Sequence, residues 1–143
     1  LQPNEVAVLL CHQHHEIAPW GELLSTRSQY LKAAGCLTDG SVRDVKRIRQ
    51  MNFPVFAGNI GPLDSKHRGK LMWYDVPGKI HGVSVNSGDF IFGDVDGVVI
   101  VPQKITAEAV EKALQKVREE NQVRGMLENG ASLAKAFEEH GIL

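Results

Sequence analysis

Arg43 and Asp44 are the two adjacent residues of this sequence whose types best suit chemistry, and they end the run Gly35 to Asp44. An arginine can hold a carboxylate through two parallel N–H bonds, and an aspartate oxygen can bind a hard divalent cation. Together, the two side chains could receive an oxo-acid that chelates a metal ion.

A strand and a helix are predicted to position this pair. An apolar strand over Cys36 to Thr38, an Asp39-Gly40 turn and a helix opened by Ser41 would place Arg43 and Asp44 in the first helical turn. The free N–H groups and dipole there favour an anion, by roughly 0.3 to 1 kcal/mol for a surface charge.

A simpler interpretation of the same spacing is a capping box, in which Asp44 satisfies the start of the helix beside Ser41 and Arg43 is a solvated surface residue. Spacing alone favours this simpler interpretation. An ion pair between Arg43 and Asp44 is not expected, because adjacent side chains diverge on a helix.

A second helix start is predicted after Pro19-Trp20-Gly21-Glu22. This helix runs from about Leu23 to Ala34, with Gly35 as its C-cap. Glu22 and the backbone amides of Gly21 to Leu24 form its N-terminus, which could face the first one.

A histidine-rich segment follows the first predicted strand. His12, His14 and His15, with Glu16, are ordinary zinc ligand types, but their spacing matches neither a helical ligand pair nor a finger pattern. A polar loop beside the site is the preferred interpretation. Asp94 and Asp96 are likewise interpreted as turn residues, because the remaining ligands of a calcium loop are absent.

Composition bounds the classes of function. A net charge of -1 over 143 residues, with interspersed signs, gives no indication of binding to nucleic acid or to an acidic membrane surface. Cys11 and Cys36 are expected to be buried thiols in a reducing compartment, the cytoplasm. No run is long enough to span a membrane. We expect one domain over residues 1-143, and the initial Leu1 suggests that the natural protein extends further toward its N-terminus.

The remaining pattern predicts an α/β domain with two or three layers. The helix after Ser41 is expected to run to about Met51, Thr106 to cap a long helix, and Ser132 to cap a last one that ends at Gly141. In the long helix, Val110, Leu114 and Val117 would form the buried stripe. The predicted strands are Glu5 to Leu10, Phe53 to Ala57, Lys79 to Val85, Asp89 to Phe92 and Val98 to Val101.

Five ordered motifs together resemble one known superfamily, that of regulator of ribonuclease activity A, which includes the 4-hydroxy-4-methyl-2-oxoglutarate aldolases with oxaloacetate decarboxylase activity. The resemblance implies an RraA-like swivelling α/β/β/α fold with a mixed β-sheet core, lacking its N-terminal segment here. It also implies trimers or hexamers with active sites between subunits. The motifs are Gly21 to Leu24, Ala34 to Val45, Phe53 to Ala57, Gly82 to Asp89 and Asp94 to Pro102.

The aldolase branch implies a role for each matching residue. Asp44 would bind Mg2+ or Mn2+, Arg43 would contact the substrate, and Glu22 would touch metal-bound water. A glutamate from the neighbouring subunit would complete the site, with Glu120 the best match and Glu119 close behind. The substrate carboxylate would be held by the backbone at Gly21, Glu22, Leu23 and Leu24.

The resemblance leaves three functions open. The first is a metal-dependent lyase that cleaves a branched hydroxy-oxo-diacid and decarboxylates oxaloacetate through a pyruvate enolate. The second is a non-catalytic regulator that binds a ribonuclease; that branch lacks the aspartate matching Asp44, so its presence here favours the lyase. The third is a methyltransferase, a label attached to such proteins, and no glycine-rich loop for its cofactor is found.

Overall fold

A computed structural model describes residues 1–12 and 14–141 of the chain. The chain divides into two compact units, Leu1–Pro102 and Gln103–Leu143. No helix in the described ranges is both long and apolar enough to cross a membrane. The first unit contains β1 (Val6–Leu9), α1 (Glu22–Tyr30), β2 (Gly35–Val42), α2 (Val45–Gln50), β3 (Val55–Ile60), β4 (Gly78–Ile80), β5 (Val83–Val85), β6 (Phe90–Gly93) and β7 (Val98–Val101).

A three-stranded parallel sheet in the order β1-β2-β3 forms the centre of the first unit. Every residue of the middle strand β2 is buried, as is typical of parallel strands that are covered on both faces. Two antiparallel hairpins, β4-β5 and β6-β7, complete the unit. Parallel and antiparallel pairing therefore both occur, in separate sheets, in agreement with the predicted α/β fold class.

The core beside the sheet is small and centred on one aromatic pair. Trp20 and Phe53 stack with ring centroids 6.3 Å apart and an interplanar angle of 11°. Cys36, Val42 and Ile48 are buried with them. This cluster joins β2 to α2 and to the segment before α1. Two of its members, Trp20 and Val42, directly precede the candidate site residues Gly21 and Arg43.

The prediction of a strand, turn and helix within Gly35 to Asp44 is wrong. β2 continues through Asp39 and Gly40 to Val42, and α2 begins only at Val45. The Asp-Gly step produces a register irregularity against β3, not a turn. Pairing of Ser41 and Val42 with β3 outweighs the local turn preference.

The capping-box interpretation is therefore also wrong. Ser41 lies inside β2, and its hydroxyl donates to the carbonyl of His15 at 2.8 Å. Asp44 is the N-cap residue of α2, has a left-handed backbone (φ 60°, ψ 28°), and makes no side-chain bond to its own helix.

Several other boundaries shift by a few residues. α1 ends at Tyr30 with Leu31 as its C-cap, so Gly35 starts β2 and does not cap the helix. The predicted strand Lys79 to Val85 is a hairpin that turns at His81 and Gly82, both with positive φ. The prediction for Val98–Val101 is confirmed, and Asp94 and Asp96 lie in the turn of the β6-β7 hairpin.

The second unit contains a short 3-10 helix (Gln103–Ile105), α3 (Thr106–Glu128) and α4 (Leu133–His140). The cap of α4 is confirmed, because the Ser132 side chain accepts from the N–H of Lys135 at 3.2 Å. Thr106 is the first residue of α3, and Ile105 is its N-cap.

The predicted buried stripe on α3 is wrong for the isolated chain. Val110, Leu114 and Val117 are 39%, 53% and 50% exposed. Val123, nearer the end of α3, is the residue of that helix that is buried. The helical periodicity is real, but nothing within the described chain buries the first half of the stripe.

Candidate active site

The starts of the two helices of the first unit meet at Asp44. The N–H of Glu22, the first residue of α1, donates to Asp44 Oδ2 at 3.1 Å. Behind this contact, the N–H of Arg43 donates to the carbonyl of Trp20 at 3.0 Å, and Trp20 pairs with Val42 as a parallel bridge. The expectation that the two helix N-termini face each other is confirmed.

The Arg43 guanidinium has a polar neighbour at each of its three nitrogens. Nη1 donates to the carbonyl of Ala18 at 2.7 Å. Nε lies 3.8 Å from Asp44 Oδ2, and Nη2 lies 3.7 Å from Asp64 Oδ2. The side chain is 26% exposed, so it is held in place but still reaches solvent.

The close approach of Arg43 to Asp44 corrects the expectation that they would not pair. Divergence of adjacent side chains applies within a helix. Arg43 precedes the helix and Asp44 has a left-handed backbone, so the geometry behind that expectation does not apply here.

Asp64 was not among the residues singled out from the sequence. A usable signal was present. β2 and β3 are parallel neighbours, and residues that follow the carboxyl ends of such strands meet at one edge of the sheet. Arg43 follows β2 and Asp64 lies four residues beyond Ile60, the end of β3.

A cleft of about 360 Å³ lies beside Arg43 and Asp44. Its other lining residues are Val45, Ile60, Gly61 and Pro62. The lining of the cleft thus combines a cation and a carboxylate with apolar groups and glycine. This combination suits a small, charged molecule that also carries a hydrocarbon part.

Gly21 allows α1 to approach the pair. A Cβ atom at this position would lie 2.7 Å from Asp44 Oδ2 and 3.0 Å from Arg43 Cγ. The first amides of any α-helix lack intrahelical acceptors. No side-chain cap bond is found at this helix start, so the N–H groups of Leu23 and Leu24 could donate to an anion.

Two hydrogen bonds fix the start of α1. The buried indole N–H of Trp20 donates to Ser25 Oγ at 2.8 Å, and that hydroxyl donates to the carbonyl of Gly21 at 3.0 Å. The Glu22 carboxylate accepts from the hydroxyl of Thr26 at 2.8 Å. The backbone and the acidic side chain that the resemblance assigns to the site are therefore both held.

The donor set at Asp44 fits a hard divalent cation. The carboxylate is 47% exposed and lines the cleft, and only Oδ2 has polar partners among the described residues. Mg2+ keeps several waters and is commonly bound through one or two carboxylates plus the substrate. Within the same residues, no group of three or more His, Cys, Asp or Glu side chains forms a complete protein cage.

The histidine-rich segment is a loop attached to β2. The backbone N–H groups of Cys11 and His12 donate to the buried Asp39 carboxylate at 2.5 and 3.2 Å. His15 Nδ1 lies 2.8 Å from the Asp39 carbonyl, and its ring stacks on His81 with centroids 6.1 Å apart. Gln13 lies outside the described residues, and the described part of this segment supports the polar-loop interpretation.

Both cysteines are free thiols, as expected. Burial raises the pKa of Cys36, and burial with the neighbouring Asp39 carboxylate raises the pKa of Cys11. Cys36 is fully buried and Cys11 is half-buried. Since the thiolate is the reactive form, neither residue has the character of a nucleophile.

Glu120 and Glu119 lie on α3, in the second unit. The Glu120 carboxylate lies 3.6 Å from Lys116 Nζ, and Glu119 accepts from Gln115 Nε2 at 2.9 Å. Their proposed contribution to a neighbouring subunit's site stays a prediction.

The family follows from a comparison of the chain with known proteins. Residues 1–100 match the model of a family described as RraA-like, aldolase/RraA. The chain belongs to the RraA-like family. That assignment confirms the sequence resemblance, and the matched residues include every candidate site residue except Glu119 and Glu120.

Two relatives illustrate the similarity. An uncharacterised protein of Methanocaldococcus jannaschii is 34% identical over 90% of this chain and 61% of its own length. A Thermus thermophilus protein named 4-hydroxy-4-methyl-2-oxoglutarate aldolase is 36% identical over 49% of this chain and 42% of its own length. The chain spans from 20% to 61% of the first curated relatives that it matches.

Solved RraA-like structures confirm the fold. An uncharacterised protein of Pseudomonas syringae superposes with a TM-score of 0.92 at 26% identity, covering 95% of this chain and 68% of that one. Streptomyces coelicolor RraAS2, described as an unusual member of the RNase ES inhibitor RraA protein family, gives a TM-score of 0.78 at 28% identity. That match covers 87% of this chain and 63% of that one.

Proposed function

We propose that the protein is a divalent-metal-dependent carbon-carbon lyase that acts on 2-oxo-diacids. The observation that carries this proposal is the contact between Glu22 N–H and Asp44 Oδ2, with Arg43 alongside. It brings together a metal-ligand type, a carboxylate-binding cation and the first amide of a helix, and the first two of these line one cleft. A relative named 4-hydroxy-4-methyl-2-oxoglutarate aldolase supports the reaction class.

Asp44 would hold Mg2+ or Mn2+ through its exposed carboxylate. The chemistry that either ion supplies when bound is Lewis-acid stabilisation of negative charge on the keto oxygen of a 2-oxo acid. The oxygen of Asp44 that accepts from Glu22 fixes the orientation of the carboxylate, and the other oxygen is available to a ligand.

Arg43 and the amides of α1 would bind and orient the substrate. The guanidinium can hold a carboxylate or stabilise charge that develops as the carbon-carbon bond breaks, and losing one such donor commonly costs about 2.7 to 4 kcal/mol. The amides of Leu23 and Leu24 provide a second anion-binding position at a helix N-terminus.

Glu22 would move protons. Its carboxylate is fixed by Thr26 at the start of α1, within the element whose backbone touches Asp44. A carboxylate so placed can accept or return a proton through a water molecule. Cleavage of 4-hydroxy-4-methyl-2-oxoglutarate and decarboxylation of oxaloacetate both leave a pyruvate enolate, so the same residues could serve both reactions.

A substitution at Asp44 tests the proposal. Wild-type protein should decarboxylate oxaloacetate faster than Mg2+ or Mn2+ alone, and excess chelator should remove that excess rate. Asp44→Asn keeps an acceptor for Glu22 and tolerates the left-handed backbone, but removes the charge. We expect it to lower turnover by about 100-fold.

Asp75→Asn is the matched control, because Asp75 also has a left-handed backbone (φ 56°) and lies outside the cleft. It should retain wild-type turnover. A folded Asp44→Asn variant with unchanged rate would remove Asp44 from the mechanism. A folded wild-type protein without turnover above the metal blank would favour the ribonuclease-binding regulator, which a pull-down would then test.

A further inference from the structure

Asp64 has an unusual relation to Arg43. Its Oδ2 lies 3.7 Å from Arg43 Nη2, while Ala18, whose carbonyl accepts from Nη1 of the same guanidinium at 2.7 Å, pairs with Asp64 as a parallel β-bridge. Two of the three contacts of Arg43 therefore come from one pair of bridged residues.

Asp64 is itself fixed from both sides. Its Oδ1 accepts from the N–H of Lys66 at 2.6 Å, so the carboxylate is tied into its own turn. The carbonyl of Leu63 accepts from the N–H of Ala18 at 2.8 Å, which fixes the backbone just before Asp64. Ala18 is fully buried, so this anchor cannot shift without disturbing the core.

The charges at this position are also unusual. One guanidinium faces two carboxylates, Asp44 and Asp64, but only Asp44 lines the cleft. The N–H of Lys66 and the positive charge of Arg43 hold the pKa of Asp64 below its ordinary value. Asp64 is thus ionised at neutral pH and attracts the guanidinium from outside the substrate cleft.

We propose that Asp64 is a positioning residue, which holds the Arg43 guanidinium in the orientation needed to bind a carboxylate of the substrate. The inference rests on the proposed function for the substrate class, but the hold on Arg43 does not depend on it. Arginine has five N–H donors in a rigid plane. Ala18 and Asp64, which do not line the cleft, hold two nitrogens of that plane and so orient the remaining donors.

The first experiment measures the guanidinium directly. Rotation about the Nε–Cζ bond of Arg43 can be followed by NMR of its side chain, with the signal assigned by its loss in Arg43→Lys. Asp64→Asn keeps an acceptor for Lys66 and removes the charge. We expect rotation to be hindered in the wild type and faster in Asp64→Asn.

Asp94→Asn is the matched control. Asp94 also accepts from a backbone N–H two residues later, that of Asp96 at 2.8 Å, and it forms no ion pair with any described residue. Rotation at Arg43 should be unchanged in this variant. Equal rotation rates in the wild type and Asp64→Asn would overturn the proposal, whether or not the protein has lyase activity.

The second experiment measures coupling in catalysis. Asp64→Asn should lower kcat/KM for oxaloacetate by about tenfold, because a small misplacement of a binding group can cost up to about 100-fold. Arg43→Lys should add little further loss in the Asp64→Asn background, since the two residues act as a unit. Asp64→Glu keeps the negative charge, so its kcat/KM should lie between those of Asp64→Asn and the wild type.

If the fold losses in kcat/KM from Asp64→Asn and Arg43→Lys multiplied in the double variant, the two residues would act independently. That result would contradict a positioning role for Asp64, even if the wild type were a fully active lyase. Absence of wild-type turnover would count against the lyase alone, and the NMR result would then decide the role of Asp64. The two hypotheses can therefore fail separately.

Discussion

Asp44 combines a rare backbone conformation with the chemistry assigned to it. Its φ of 60° lies in the left-handed region, which aspartate and asparagine tolerate better than most residues. This conformation ends β2, starts α2 and directs the carboxylate toward the start of α1. The residue is thus constrained both by its side chain and by its backbone.

Gly21→Ala is predicted to impair the site more than the fold. The backbone there is extended, so alanine can adopt it, but the added methyl carbon would lie 2.7 Å from Asp44 Oδ2 and 3.0 Å from Arg43 Cγ. The side chains of Asp44 and Arg43 would both have to move away from the added methyl group. We expect kcat/KM for oxaloacetate to fall by about tenfold or more, because displacement of binding groups is costly.

The loss of unfolding free energy in Gly21→Ala should stay near 1 kcal/mol, the range for replacing a good N-cap by alanine. Gly125→Ala is the control, since no heavy atom lies within 4 Å of a Cβ built there. Steady-state kinetics and urea denaturation on both variants check this. Wild-type kinetics for Gly21→Ala would mean that the tight contact has no catalytic consequence.

Among the elements, β2 shows best where sequence reasoning succeeds and fails. β7 and the capped helix α4 were predicted closely, because a continuous run of β-branched residues and a serine cap are local signals. The second half of β2 was missed, because Asp39-Gly40 has a strong turn preference that is overridden by the pairing of Ser41 and Val42 with β3. Non-local pairing of this kind cannot be read from a short window.

For the candidate site, too, local features could be predicted and non-local contacts could not. Arg43, Asp44 and Glu22 could be singled out, since residue type and family resemblance identify them. The contacts of Arg43 with Ala18 and Asp64 could not be predicted, because they depend on how parallel strands align. The wrong helix start at Ser41 did not change the choice of Arg43 and Asp44, since both follow the strand in either case.

Gly58→Ala is predicted to destabilise the parallel sheet. A Cβ at this position of β3 would lie 2.5 Å from the backbone carbonyl oxygen of Asp39, in the neighbouring strand β2. A backbone atom in the middle of a sheet cannot rotate away as a side chain can. We expect a loss of about 1 to 3 kcal/mol in unfolding free energy.

Urea denaturation followed by circular dichroism measures this loss. Gly69→Ala is the comparison, because its added carbon would meet only Ser65, at an ordinary 3.7 Å. If both variants unfolded at the same urea concentration, the close approach of β2 and β3 at this position would be refuted.

On the scale of the whole molecule, the exposed stripe of α3 bears on assembly. Val110, Leu114 and Val117 repeat at helical spacing yet remain 39% to 53% exposed in the single chain. The resemblance implies a trimer or hexamer with active sites between subunits. We predict that light scattering after size-exclusion chromatography will give three or six times 15.7 kDa.

A charge within the stripe tests its part in that assembly. Leu114→Glu should lower the measured mass, because a buried unpaired carboxylate is costly at an interface. Glu111→Gln, an exposed neighbour on the same helix, should leave it unchanged. A wild-type mass of 15.7 kDa would exclude the predicted oligomer under those conditions.

The hydrogen bond from Trp20 to Ser25 has an optical consequence. The chain has two tryptophans; Trp20 is 3% exposed, whereas Trp73 is 67% exposed. Trp73→Phe would leave one indole, buried on Phe53 and bonded to the first turns of the helix that meets Asp44. Its fluorescence would then report what happens at the start of α1, so ligand titrations could be read from intrinsic emission without an attached dye.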